Sequence, residues 1–386
     1  MVDVRNININ INMKLLSIVI PTRNRECYCI EVLRNVLTYN RNDFEVCVCD
    51  NSDTDKIEKF LNNVSDKRIV YRHIKGRINS VVNMDTAIGM ATGDYICMIG
   101  DDDTILPDIF TIVEWAKSND FVNVTPRFQI SFFWPNSISK NGRLFWDSEV
   151  CKGKEEILTS ELQLEKFVCN GLYDYSSYLP RVYHGIVKRD ILSRIKAQTG
   201  HFIGGLSPDI YMAVTTACSC KEFVTINSPI TIAGACPTSS TADNNTGGHR
   251  GSIECAPHLF GKTDYQWDKR IPEIYSVETI WGETAIKALQ EMNRDDLLRK
   301  INQGYLFAEL LKNHHNMGAF LIKSIMHSKL ENSFFSILFN FVKFFFVKPT
   351  VRLYRGYPKF EEYNGIENIR DAVNIYLNKY KSNNKY

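Results

Sequence analysis

The segment LLSIVIP at 15–21 is a nearly continuous apolar run closed by proline. Unbroken apolarity, rather than strict alternation, is what a strand covered on both faces requires, and such strands belong to parallel sheets. Related runs return as FEVCVCD at 44–50, RIVYRH at 68–73 and DYICMI at 94–99. Between them, 28–39 sets Ile30, Leu33, Val36 and Leu37 on one helical face. NSDTD at 51–55 opens a second helix, with Ser52, Asp53 and Thr54 as N-cap candidates. The stretch 83–91 reads as a third helix, closed by Gly93. This β-α-β-α-β-α-β alternation predicts an α/β fold, an open and mostly parallel sheet with helices on both faces.

In such sheets ligands bind beyond the carboxyl ends of the strands. The polar clusters at 22–25, 50–53 and 101–103 all fall there. The last of these is GDDD, ending an apolar strand. Three adjacent carboxylates repel one another, and a divalent cation relieves that repulsion. In an extended segment residues i and i+2 point the same way, so Asp101 and Asp103 are placed to share one hard metal ion that also grips phosphate oxygens. The bland alternative is a solvated acidic turn before the next helix. Asp50 ends the second strand, where its carboxylate either accepts a hydrogen bond from a nucleobase or caps the following helix; Asp53 fits either role equally. Thr22 and Arg25 follow the first strand, placed to hold base and phosphates, while Arg23 is open to being a surface residue.

The blocks SIVIPTRNR, VCVCDNSDTD and ATGDYICMIGDDD, in that order and spacing across about residues 14–110, resemble the inverting, family-two glycosyltransferases with the GT-A fold. The resemblance implies that Asp50 contacts the base and that the first-strand loop, Pro21 to Arg25, lines the nucleoside pocket; Asp53 and Asp102 are the further nucleotide-binding candidates. It implies further that Asp101 and Asp103 form a DxD motif for Mn²⁺ or Mg²⁺. The expected function is metal-dependent, inverting transfer of a sugar from a nucleotide-diphosphate sugar to a glycan acceptor in surface polysaccharide synthesis, of the O-antigen or capsule kind.

An inverting transfer needs a base beside the acceptor. The family usually places an acid at the start of a helix, and GGLSPDIYMAV at 204–214 offers Asp209. The common family pair is Glu-Asp, whereas here Pro208 precedes the acid, so the match is partial. The alternative for Asp209 is a helix-start carboxylate facing the macrodipole. For a third metal ligand, His184 in YHG and His249 in the loop at 238–252 are both available, and His249 is the one taken here. That loop, rich in Ser, Thr, Asn and Gly, could carry His249 or Arg250 to the leaving group on closing; a solvated surface histidine is the alternative.

The division expected is a GT-A catalytic domain at 14–235, with a donor half to about 110 and an acceptor half after it. A loop and a helical region follow over 236–386. Within the latter, FFSILFNFVKFFFV at 334–347 is too short to span a bilayer, which takes roughly 20 residues. Ser336, Asn340 and Lys343 form a narrow polar stripe on it. Either the helix lies in a membrane interface or it packs as core or oligomer contact. A membrane position would suit a lipid-linked acceptor.

A net charge of +2 over 386 residues excludes the strongly basic profile of a dedicated nucleic-acid binder. The 11 cysteines are dispersed without paired CxxC spacing, and the start lacks a basic-then-apolar leader pattern. These features suit a reducing cytoplasm, at the inner face of the cytoplasmic membrane if the 334–347 helix docks there. Met1 and Met13 are both available as the start. Two rival functions are a sugar-nucleotide nucleotidyltransferase, opposed by the absence of glycine from TRNRECYC, and a non-catalytic glycan-binding protein on the same fold.

Overall fold

The structure, a computed structural model, describes residues 14–147, 154–239, 251–261, 265–314, 322–323, 334–343 and 360–383. Strands β1 (Leu16–Thr22), β2 (Phe44–Asp50), β3 (Ile69–His73) and β4 (Tyr95–Met98) pair in parallel in the order β3-β2-β1-β4. Helices α1 (Glu26–Val36), α2 (Lys56–Val64) and α3 (Ser80–Gly89) connect them. The strand order therefore turns back between β1 and β4, which opens a crevice at their carboxyl ends.

The sheet continues beyond what periodicity foretold. Strand β5 (Thr104–Ile105) and helix α4 (Asp108–Ser118) follow the aspartate cluster. Strands β6 (Asn123–Pro126), β7 (Ile130–Phe133), β8 (Arg143–Asp147), β9 (Glu156–Thr159), β10 (Ile186–Lys188), β11 (Glu222–Ile226) and β12 (Thr231–Ala235) come next. The main sheet runs β3-β2-β1-β4-β10-β6-β11-β9, with β10 antiparallel to both neighbours. A second sheet joins β8, β7, β12 and β5. Thus the α/β architecture holds. The stretch 155–172 is β9 followed by α5 (Ser160–Cys169). The edge strand β9 pairs with β11, a long-range contact that local pattern does not carry.

Burial explains the unbroken apolar runs. In β1, Leu16, Ile18 and Ile20 join one core and Val19 the other, all fully buried. The first core holds α1 and α4; the second holds α3, α5, α6 (Arg189–Thr199) and α7 (Pro208–Ser219). Helix Val277–Glu291 closes the second core and starts with a capping box, Ser276 with Thr279. Two shorter helices follow, Asp295–Leu298 and Gln303–Asn313. Past residue 236 the chain is not helical throughout: Phe360–Asn364 pairs antiparallel with β8. The helix after it returns Ile369, Val373 and Tyr376 to the first core.

Candidate active site

Gly100 to Asp103 form a tight turn rather than an extension of β4. Asp103 N donates to Gly100 O at 3.3 Å, and Gly100 N donates to Asp103 Oδ2 at 2.6 Å. A Cβ at Gly100 would stand 2.8 Å from the Tyr183 hydroxyl and 2.9 Å from Asp103 Oδ2, so a side chain there would displace these groups. The turn overrides the i, i+2 rule of an extended segment, and the outer two aspartates face different partners. Asp101 Oδ2 accepts the Thr22 hydroxyl at 2.6 Å, and its Oδ1 lies 2.8 Å from Arg25 Nη2. Asp103 Oδ2 accepts the Tyr183 hydroxyl at 2.7 Å and lies 3.2 Å from His184 Nε2, while Oδ1 accepts Gly234 N at 2.7 Å. Asp102 Oδ2 accepts Cys236 N at 2.8 Å.

The solvated acidic turn is thereby excluded, since all three aspartates are at most 4% exposed. Their repulsion is met within the protein by Arg25, His184, hydroxyls and amides. Burial pushes the Asp101 carboxyl up to about 7 against the pull of Arg25. Burial raises Asp102 likewise. Burial acts on Asp103 too, but His184 and Tyr183 outweigh it and hold that carboxyl below the usual range. Burial works against the Arg25 guanidinium, yet Asp101 and Asp102 raise it well above the usual arginine range.

His184 has φ of +59°, an uncommon backbone for a non-glycine residue and one that clusters at functional sites. Its Nδ1 lies 2.9 Å from the Thr231 hydroxyl, which aims Nε2 at Asp103. Asp209 begins α7, behind Pro208 at the helix start. Asp103, His184 and Asp209 line one cavity of about 290 Å³ together with Tyr175, Arg181 and Trp281. Burial, opposed by His184 and reinforced by Asp103, raises the Asp209 carboxyl to about 6. A second cavity, of about 240 Å³, is lined by Pro21, Thr22, Arg23, Arg25, Asn51 and Arg77, among others. Phe260 reaches its rim, with the Arg77 guanidinium 3.7 Å from the ring centroid.

The first-strand loop thus sits where the sequence placed it. Arg23 is more than a surface residue: it donates to Asn51 O at 2.7 Å and pairs with Asp53 at 3.2 Å. Asp53 also accepts Asn24 Nδ2 at 2.8 Å, so it ties two strand-end loops together. Asp50 is fully buried and absent from the cavity lining; its oxygens accept Ser52 N at 2.8 Å and the Tyr71 hydroxyl at 2.9 Å. Asn51, one residue on, takes the place in the lining. The N-cap of α2 is Asp55, with no side-chain cap bond, rather than Ser52, Asp53 or Thr54. His249 and Arg250 lie outside the described residues. Sequence reasoning missed Tyr183, Arg181, Tyr175 and Trp281, which come from separate segments; only the YHG triplet gave a signal, and it named His184 without choosing it.

Among the described residues no three His, Cys, Asp or Glu side chains converge as a metal-ligand group. Asp101 is spoken for by Thr22 and Arg25. Asp103 and His184, a carboxylate and an imidazole side by side in a cavity, fit a dication that completes its shell with phosphate oxygens and water.

Residues 17–171 match the model of glycosyl transferase family 2. The chain is 30% identical over 105 residues to the abequosyltransferase RfbV of Salmonella typhimurium, covering 26% of this chain and 32% of that one. It is 29% identical over 183 residues to the putative colanic acid biosynthesis glycosyl transferase WcaA of Escherichia coli, covering 47% and 55%. The matched segments therefore span between a third and about half of these relatives. Among solved structures, S. aureus TarS 1–349 in complex with UDP-GlcNAc aligns with a TM-score of 0.44 and 10% identity, covering 86% of this chain and 91% of that one. The family match covers β1 to β4 and the strand-end crevice they form.

Proposed function

We propose that this chain, whose residues 17–171 belong to glycosyl transferase family 2, is an inverting glycosyltransferase acting on a nucleotide-diphosphate sugar and a glycan acceptor. The observation that carries the reading is the meeting of Asp103, His184 and Asp209 in one cavity at the carboxyl edge of the sheet. The names of the curated relatives support a surface-polysaccharide setting for the acceptor.

In this mechanism the nucleoside lies in the cavity lined by the β1 loop, Asn51 and Arg77, with Arg25 toward the diphosphate. Asp209 accepts the acceptor hydroxyl proton as that oxygen bonds to the anomeric carbon. The bond from that carbon to the diphosphate oxygen breaks, and the nucleoside diphosphate leaves from the opposite face, so configuration inverts. Asp103, with His184, is the place for Mn²⁺ or Mg²⁺, which would neutralise the departing diphosphate. Asp101 acts as an anchor joining the ends of β1 and β4, and Asp50 supports the pocket from behind.

Helix Phe334–Val342 supports a peripheral membrane position, and with it a lipid-linked acceptor at the cytoplasmic face. Leu338, Phe339 and Val342 are exposed on it, while Ile337 and Phe341 pack inward. Of the polar stripe, Asn340 is buried and Lys343 is exposed. Residues 344–347 lie outside the described residues. Among those described, no helix is long and apolar enough to cross a membrane.

The test is a panel of uridine, thymidine and guanosine diphosphate sugars, assayed for donor hydrolysis and transfer with and without Mn²⁺. Turnover that is lost in Asp209→Asn, with nucleoside diphosphate still bound, supports the mechanism. Absence of nucleotide binding across the panel would overturn it.

A further inference from the structure

The cavity that holds Asp209 also holds an arginine with no carboxylate partner among the described residues. Arg181 is 9% exposed. Its Nη2 donates to the Pro126 carbonyl, its backbone N to the Thr125 hydroxyl at 2.8 Å, and its carbonyl accepts Asn123 Nδ2 at 3.0 Å. These contacts fix the residue but neutralise nothing. Its buried Nε has no hydrogen-bond partner among the described residues. The two carboxylates of the cavity leave it alone: Asp103 is engaged by His184 and Tyr183, and Asp209 makes no ion pair with it among the described residues. Burial correspondingly pulls the guanidinium below the usual arginine range. A buried cation with a free donor is costly unless a partner arrives to pair with it.

The surroundings say what kind of partner. The phenol of Tyr175 is within electrostatic reach of both Arg181 and Asp209. The Trp281 ring stands against it at 5.2 Å between centroids, nearly perpendicular, and also lines the cavity. Aromatic walls suit the apolar faces of a sugar ring, and a guanidinium fork suits a carboxylate or phosphate. Arg23, Arg25 and Arg77 already serve the other cavity, assigned above to the nucleotide.

Resting on that assignment, we propose that Arg181 selects an acceptor bearing an anionic group, a carboxylate or a phosphate on the sugar presented to Asp209. The anion pairs with the guanidinium while the sugar ring lies along Tyr175 and Trp281. Arg181 is a specificity residue here, not a catalytic one.

The experiment uses the full chain, saturated with whichever of UDP, dTDP or GDP binds it, in Mg²⁺. Methyl glucuronide, glucose 1-phosphate and methyl glucoside are titrated by ligand-observed NMR. The charged probes are expected to bind at least tenfold more tightly than methyl glucoside. In Arg181→Met that preference should fall to within twofold, with nucleoside diphosphate affinity unchanged and Arg181→Lys retaining part of it. Equal affinity of the wild-type chain for charged and neutral probes overturns the proposal, and this arm needs no variant to fold. A parallel loss of nucleoside diphosphate affinity in Arg181→Met also overturns it, because the anion would then be the donor's own. In either case nucleotide binding by the wild-type chain leaves the glycosyltransferase reading standing.

Discussion

Thr22, the last residue of the first strand, donates its hydroxyl to Asp101 Oδ2 across 2.6 Å, joining residues 79 apart in sequence. Both are buried, and the bond closes the two sides of the crevice where the strand order reverses. Replacing Thr22 with Val keeps the shape and leaves a buried carboxyl oxygen without its donor. Such losses cost about 1–3 kcal/mol. Urea denaturation of Thr22→Val should show a drop of that size together with weaker nucleotide binding. An unchanged midpoint would mean that Asp101 is satisfied in another way.

Asp209 has a second consequence for pH. Its carboxyl, raised to about 6 chiefly by burial, accepts a proton only when ionised. Transfer should therefore hold steady above about pH 6 and fall roughly tenfold per unit below it. Asp209→Asn should lower turnover by about 10²–10⁴-fold and remove that acid limb. A wild-type kcat/KM profile flat from pH 5 to 8 would take the base role away from Asp209.

Gly234 tests how closely β12 must approach the aspartate turn. A Cβ there would stand 1.7 Å from the Asp102 carbonyl, which cannot move aside as a side chain could. Overpacking of this kind costs about 1–3 kcal/mol. Gly234→Ala should melt lower and lose activity, since Gly234 N also holds Asp103. Gly89→Ala, whose new methyl meets nothing closer than a Phe202 ring carbon at 3.7 Å, serves as the neutral control.

Acid stability should report on Glu278. Burial alone would raise this carboxyl, but His314 at 3.0 Å and Asn313 at 2.8 Å bring it down to about 2. A folded-state value below the unfolded one of 4.5 stabilises the protein above that pH and loses its effect as pH falls toward 2. The swing is about 3 kcal/mol. Glu278→Gln should lower stability at neutral pH and flatten the decline between pH 4.5 and 2, as followed by denaturant midpoints.

The membrane proposal turns on Leu338 and Phe339, 47% and 70% exposed. Changing both to Glu should abolish flotation with vesicles containing anionic lipid while leaving the melting temperature within a degree or two. Equal flotation of the variant and the wild-type chain would rule out this helix as the anchor.

The apolar runs determined the four parallel strands and their helices, because burial on both faces demands side chains that local pattern displays directly. The polar clusters at the strand ends marked the crevice for the same reason: parallel strands deliver their carboxyl ends to one edge. What each aspartate does was decided by tertiary structure. The turn from Gly100 to Asp103 set Asp101 toward Thr22 and Asp103 toward His184. Arg181 and Trp281 reached the cavity from segments with no shared motif. Their placement depends on packing across the second core, and no local periodicity encodes which distant side chains a cavity will gather.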